Sequence, residues 1–249
     1  MAAGKLSPRQ RMINLMYLVF IAMLAMQIDQ QVLRSFQGIN ESLVSTSNLS
    51  KESNIVYYED LEKKAVKDSV TYQKKNKTAK EIKAETSKIL AEIQSLKNQL
   101  KSSEKSAEGE EVNYNVLKNT DRIVELFFQG KGFKNEKTGN ETAQKFVKDL
   151  NTYVEKLKTF SINKKSSNLI DSTFDYLKYK KNNKTWLSKT FYDQPLVAAK
   201  TNFSKVESDI RAIEGNLVRE LLAVKLEDIV FDEYKAIPKS PCDLIDAQR

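Results

Sequence analysis

Arg9, Asn14 and Tyr17 sit where polar side chains are costly, at the edge of and within an apolar run from Met12 to Ile28. After Arg11 no formal charge follows until Asp29. Arg9 precedes Met12 by three residues, close to one helical turn, so a short spanning helix would draw its guanidinium into the membrane edge. A cation there is costly unless paired, and a carboxylate on a partner is the natural counterpart. Asn14 and Tyr17 are three apart, share a helix face and offer hydrogen bonds to whatever surrounds that face. The chemistry these residues can do is ion pairing and hydrogen bonding within a membrane. A plainer reading stands beside it: Arg9 as an ordinary topology anchor and Tyr17 as an interfacial aromatic.

Composition removes most other chemistry. Histidine is absent and Cys242 is the one cysteine, which excludes His-based general bases, Ser-His and Cys-His dyads, His- or Cys-built zinc sites and an intrachain disulfide. Carboxylate-pair hydrolysis survives on composition, yet nothing marks a pair among 33 acidic residues. Gly130-Lys131-Gly132 lacks the flanks of a phosphate loop and reads as a turn after a helix. The chain is therefore expected not to be an enzyme, with no catalytic, metal or cofactor-binding residue and no cofactor. Its net charge is +8, but only seven of the 41 cations are arginine and the lysines are scattered among glutamates. Nucleic acid is not an expected partner, since a phosphate-binding surface concentrates its charge. The cluster Lys178 to Lys184 is read as a solubilising loop, with weak contact to an anionic surface polymer as the alternative.

The elements that must position these groups begin with the apolar run. Seventeen residues span about 25 Å, slightly less than a hydrocarbon core of about 30 Å. A cleaved signal peptide competes with a permanent anchor, but Ala25 at −1 would leave Met23 at −3, a poor cleavage site. Val32, Phe36, Ile39 and Leu43 continue the spacing, so the helix is expected to run on beyond the membrane. Lys5, Arg9 and Arg11 keep the short N-terminus in the cytoplasm and send the body outward.

That body reads all-α: a single N-terminal transmembrane helix continuing into a periplasmic helical bundle, with a short extended segment at the C-terminal end. Gly numbers only seven, and no proline falls between Pro8 and Pro195. Ala79, Ile82, Thr86, Ile89, Ile93, Leu96 and Leu100 form one stripe. Further helices are expected over Val116 to Gln129, from Thr142, and over Ser167 to Tyr179. A turn is expected at Glu108 to Glu111. The last helix has Pro195 in its first turn and Asp193 as N-cap, followed by Leu196, Ala199, Phe203, Val206, Ile210, Ile213 and Leu217. Its seam suits antiparallel packing within a bundle, or a dimer interface. Leu221 and Val224 continue it. The expected organisation is 1–11 cytoplasmic, 12–28 transmembrane, 29–226 periplasmic helical bundle, and 227–249 an extended linker towards a further domain missing from this chain.

The 21 positions from Lys5 to Ala25, KLSPRQRMINLMYLVFIAMLA, resemble the start of the GldM family, called PorM in relatives, of the type IX secretion system. Phe191-Tyr192-Asp193-Gln194-Pro195-Leu196 is a weaker echo, where the family also starts a long helix. The resemblance implies a rotor or coupling shaft driven by proton-motive force, powering protein secretion and gliding. It implies a homodimer whose membrane helices enter a ring of GldL-like multi-spanning subunits, with later domains reaching outer-membrane-associated ring components. It carries Arg9 over as the cation that pairs with a membrane glutamate of the ring, and Tyr17 as a weaker polar contact. This chain has no carboxylate between Met1 and Ile28, so protons would be handled on the partner. The competing class is a single-anchor periplasmic sensory or ligand-binding receptor.

Overall fold

Ser7 starts the first element: its Oγ accepts the amide of Gln10 at 3.3 Å, and Pro8 occupies the first turn. From there α1 runs unbroken from Pro8 to Lys67. Its 60 residues span about 90 Å. The computed structural model describes residues 7–101, 114–181 and 184–223. The turn expected at Glu108 to Glu111, Val224 and the segment 227–249 with Cys242 lie outside the described residues.

Asp68 ends α1 and begins α2 (Ser69–Lys101): its amide donates to the Lys64 carbonyl at 2.8 Å while its carboxylate accepts the amide of Thr71 at 3.1 Å. That amide bond holds the Asp68 carboxyl below its ordinary value. Then follow α3 (Tyr114–Lys118), α4 (Asp121–Phe128), α5 (Glu141–Phe160), α6 (Lys164–Thr173), a 3-10 turn (Asp175–Lys178), the hairpin strands β1 (Lys180–Lys181) and β2 (Lys184–Thr185), α7 (Trp186–Phe191) and α8 (Leu196–Leu222). The all-α reading holds, with the two-residue strands as the one exception among the described residues.

The α2 stripe is buried at every expected position, Thr86 included, because its hydroxyl meets the Tyr153 hydroxyl at 3.0 Å across the α2–α5 contact. The seven seam residues of α8 are also buried, and so are Val197, Thr201, Ser204, Glu214, Gly215 and Val218 on its other faces. It is the central helix of the bundle. Phe203 lies in an aromatic cluster with Phe191, Phe146 and Phe127, at centroid distances of 4.8, 5.8 and 5.9 Å.

Polar contacts between the long helices set their directions. Thr201 donates to the Phe36 carbonyl at 3.2 Å, Ser204 to Asn40 at 2.7 Å, Asn54 to Glu214 at 2.9 Å and Lys64 to the Leu222 carbonyl at 3.3 Å. Numbers rise together, so α8 packs parallel to α1. Lys80–Glu62 at 3.2 Å and Lys97–Glu207 at 3.1 Å make α2 antiparallel to both, so the antiparallel neighbour expected of the α8 seam is α2.

Three boundaries also differ. The helix expected over Val116 to Gln129 is broken at Asn119, whose side chain accepts the Asp121 amide at 2.8 Å and whose carbonyl accepts Leu196 N at 2.9 Å. Asp193 is not an N-cap: it takes a left-handed φ of 54°, and Pro195 stands at the cap with no side-chain bond. The helix expected over Ser167 to Tyr179 starts earlier, because Asn163 caps it through the Ser166 amide at 2.9 Å, and gives way to the 3-10 turn after Thr173. Gly130 and Gly132 form the expected turn, with φ of 82° and 78°.

Candidate membrane anchor and partner-contact surface

Among the described residues, α1 is the one helix long and apolar enough to cross a membrane, and none of the others covers its apolar stretch. From Met12 to Ile28 every residue is exposed, with Leu18 at 69% and Ile28 at 60%. Large side chains such as Met16, Leu18, Phe20 and Ile21 point outward all round the helix. A helix apolar on all faces suits lipid or a protein ring within lipid, whereas a water-facing helix keeps a polar face. The first buried residue on α1 is Leu33.

Arg9, Asn14 and Tyr17 are all exposed on this stretch, Tyr17 at 64%. At about 100° per residue they fall within a sector of about 140°, with Tyr17 between the other two in angle. Arg9 and Tyr17 are about 12 Å apart along the axis. The surface is donor-rich: a guanidinium fork, an amide and a phenol, with no carboxylate on the same stretch. A fork of this kind matches a carboxylate or phosphate presented from outside the chain.

Where α1 leaves the apolar stretch, α3 braces it. Lys118 Nζ meets Asp29 Oδ2 at 2.8 Å, and Arg34 Nε donates to the Tyr114 hydroxyl while its guanidinium lies 5.4 Å from that ring's centre. Both pairs join residues 80 or more apart in sequence, and spacing rules carry no trace of them.

Above the brace α1 presents two faces. Leu33, Asn40, Ser47, Asn54 and Leu61 recur every seventh residue on its buried side, all buried except the half-buried Asn40. On a second side, about 130° round the helix, Ile28, Val32, Ser35, Ile39, Ser42, Thr46, Leu49, Ser53 and Val56 step by three and four and are all exposed. This second stripe carries no charge in a chain that is 30% charged. A separate groove of about 590 Å³ opens between α6 and α8, floored by Leu169, Ile170, Ile213 and Leu217. Among the described residues no group of His, Cys, Asp and Glu side chains is placed to hold a metal ion.

These features define a class: a helical bundle built on a single long helix whose N-terminal end is a candidate membrane anchor. Comparison with known families matches residues 31–224 to the GldM N-terminal domain. The chain belongs to the GldM family, part of the gliding-motility and type IX secretion machinery, which works in a membrane motor complex. The match lies wholly C-terminal to residues 5–25, whose resemblance pointed to the same family, so two separate stretches agree. A comparison with curated proteins found no match.

Proposed function

We propose that this chain is the membrane-anchored shaft of a motor driven by proton-motive force. Its N-terminus lies in the cytoplasm, residues 12–28 cross the inner membrane, and the bundle stands in the periplasm and passes motion outward. The observation that carries the reading is the continuity of α1: the uncovered apolar stretch and the buried seam belong to one unbroken helix, Pro8–Lys67. A continuous helix couples the membrane to the bundle mechanically, where a flexible linker would not.

Arg9 pairs with a carboxylate of a multi-spanning ring subunit of the GldL type, with Asn14 and Tyr17 as polar contacts. The absence of any carboxylate before Asp29 puts proton handling on that partner. Two copies sit in the ring, and the charge-free stripe from Ile28 to Val56 is the face each offers the other, since exposed apolar positions at three-four spacing call for a partner helix. Domains following the bundle reach outer-membrane-associated ring components.

Purification from membranes in mild detergent tests this. The expected result is a small multi-spanning protein co-purifying in excess over two copies of this chain. A lone monomer with no such companion overturns it and favours the receptor reading, whose ligand would then be sought in the α6–α8 groove.

A further inference from the structure

The buried seam of α1 is polar where a stable helix pair would be apolar. Between Leu33 and Leu61 stand Asn40, Ser47 and Asn54, and Ser47 Oγ is buried without a partner among the described residues. A seam chosen for stability alone would use Leu or Ile at those positions. Polar residues at such seam positions are the known means of fixing register, at a cost in stability.

Asn54 makes the most specific contact. Its Nδ2 donates to the Arg211 carbonyl and to Glu214 Oε2, both at 2.9 Å, so both of its hydrogens are used. One turn further on, the Tyr58 hydroxyl donates to Glu214 Oε1 at 2.9 Å. Glu214 is 5% exposed and Asn54 4%. Both carboxylate oxygens are thus met by α1, in a place where water does not replace a lost bond. Gly215 completes the fit, because a Cβ there would collide with Asn54 Oδ1.

We propose that Asn54, Tyr58, Glu214 and Gly215 form a key that fixes the axial and rotational register of α1 on α8, so that the bundle follows the anchor helix without slipping. Slip by one turn, about 5.4 Å, would break this two-point contact, setting Ser50 and Asn54, or Tyr58 and Glu62, where Asn54 and Tyr58 now meet the two Glu214 oxygens. The mechanical consequence rests on the shaft reading above; the register itself does not.

The test uses the full chain in detergent with Cys242→Ser, spin labels at the exposed positions Lys51 on α1 and Ala212 on α8, and dilution with unlabelled chain. The triple variant Asn54→Leu, Tyr58→Phe, Glu214→Leu replaces the key by apolar groups. It is expected to fold with an unfolding midpoint equal to or above that of the parent, because well-packed apolar replacements of buried polar pairs are often neutral or stabilising. Its label-to-label distance is expected to split, with a second population displaced by up to about 5 Å. Tyr58→Phe alone, which keeps the ring, is expected to show the same second population at lower weight. A single parental distance in both folded variants overturns the key. A triple variant that fails to fold also overturns it, since the contact would then hold the fold instead of its register. Neither result bears on whether a ring partner co-purifies, so the two readings fail separately.

Discussion

A rigid shaft makes angular phase measurable. Inserting alanines between Ile28 and Asp29 preserves helix propensity and leaves the Lys118–Asp29 pair on the bundle side of the insertion. Each added residue turns the anchor by about 100° and lengthens it by about 1.5 Å relative to the bundle. One insertion displaces the sector of Arg9, Asn14 and Tyr17 by about 100°, and two by about 200°, nearly the opposite face. Four restore it to within about 40°, and seven to within about 20°, at the expense of about 10 Å of added length. Because α1 is continuous from Pro8 to Lys67, this error cannot be absorbed locally. Secretion and gliding should therefore fall to a minimum at two insertions and recover substantially at four and seven. Four glycines should be worse than four alanines at the same phase and length, because they introduce a flexible joint. Activity declining smoothly with length, or indifferent to it, would refute the rigid-shaft reasoning.

Arg9→Ala should cripple secretion, whereas Asp29→Asn should leave it mostly intact, since the Lys118–Asp29 pair is more than half exposed and such pairs contribute about 0–1 kcal/mol; equal loss from both, measured by secretion assay, would overturn that division of labour. Phe203→Ala empties the centre of the aromatic cluster and should cost about 3–5 kcal/mol, lowering Tm by roughly 10 °C in calorimetry. Burial raises the Glu214 carboxyl above its ordinary value, against the opposing hydrogen bonds from Tyr58 and Asn54 and the nearby charges of Arg211 and Lys83. A carboxyl raised on folding contributes most below its unfolded value, about 4.3, and that contribution is lost as pH rises through the folded value. Glu214→Gln should therefore gain stability relative to the parent between pH 4 and neutrality in paired urea titrations, and a pH-independent gap would contradict the assignment.

Sequence periodicity located the two helices that matter most to the core, because α2 and α8 bury strict three-four stripes that a single chain displays openly. Thr86, the one polar residue in the first stripe, pairs with Tyr153. Periodicity carries no direction, however, and the parallel run of α8 along α1 rests on contacts between residues more than 150 apart. The α1 seam was illegible for a related reason: Asn40, Ser47 and Asn54 look like surface residues until Leu33 and Leu61 are placed at the same seven-residue spacing. Asn119 hid a break because its side chain and carbonyl bond outside any helical pattern. At the membrane end, residue type, spacing and the family resemblance together suggested what Arg9, Asn14 and Tyr17 could do. The brace formed by Arg34–Tyr114 and Asp29–Lys118 left no local signal at all.

Photo-crosslinking from single positions between Met12 and Ile28 in intact membranes tests most directly whether this helix is held by protein within the bilayer. We expect adducts to a small multi-spanning protein from most positions, Asn14 and Tyr17 among them. Adducts to lipid alone, or a probe that leaves with a cleaved N-terminal fragment, would contradict the account.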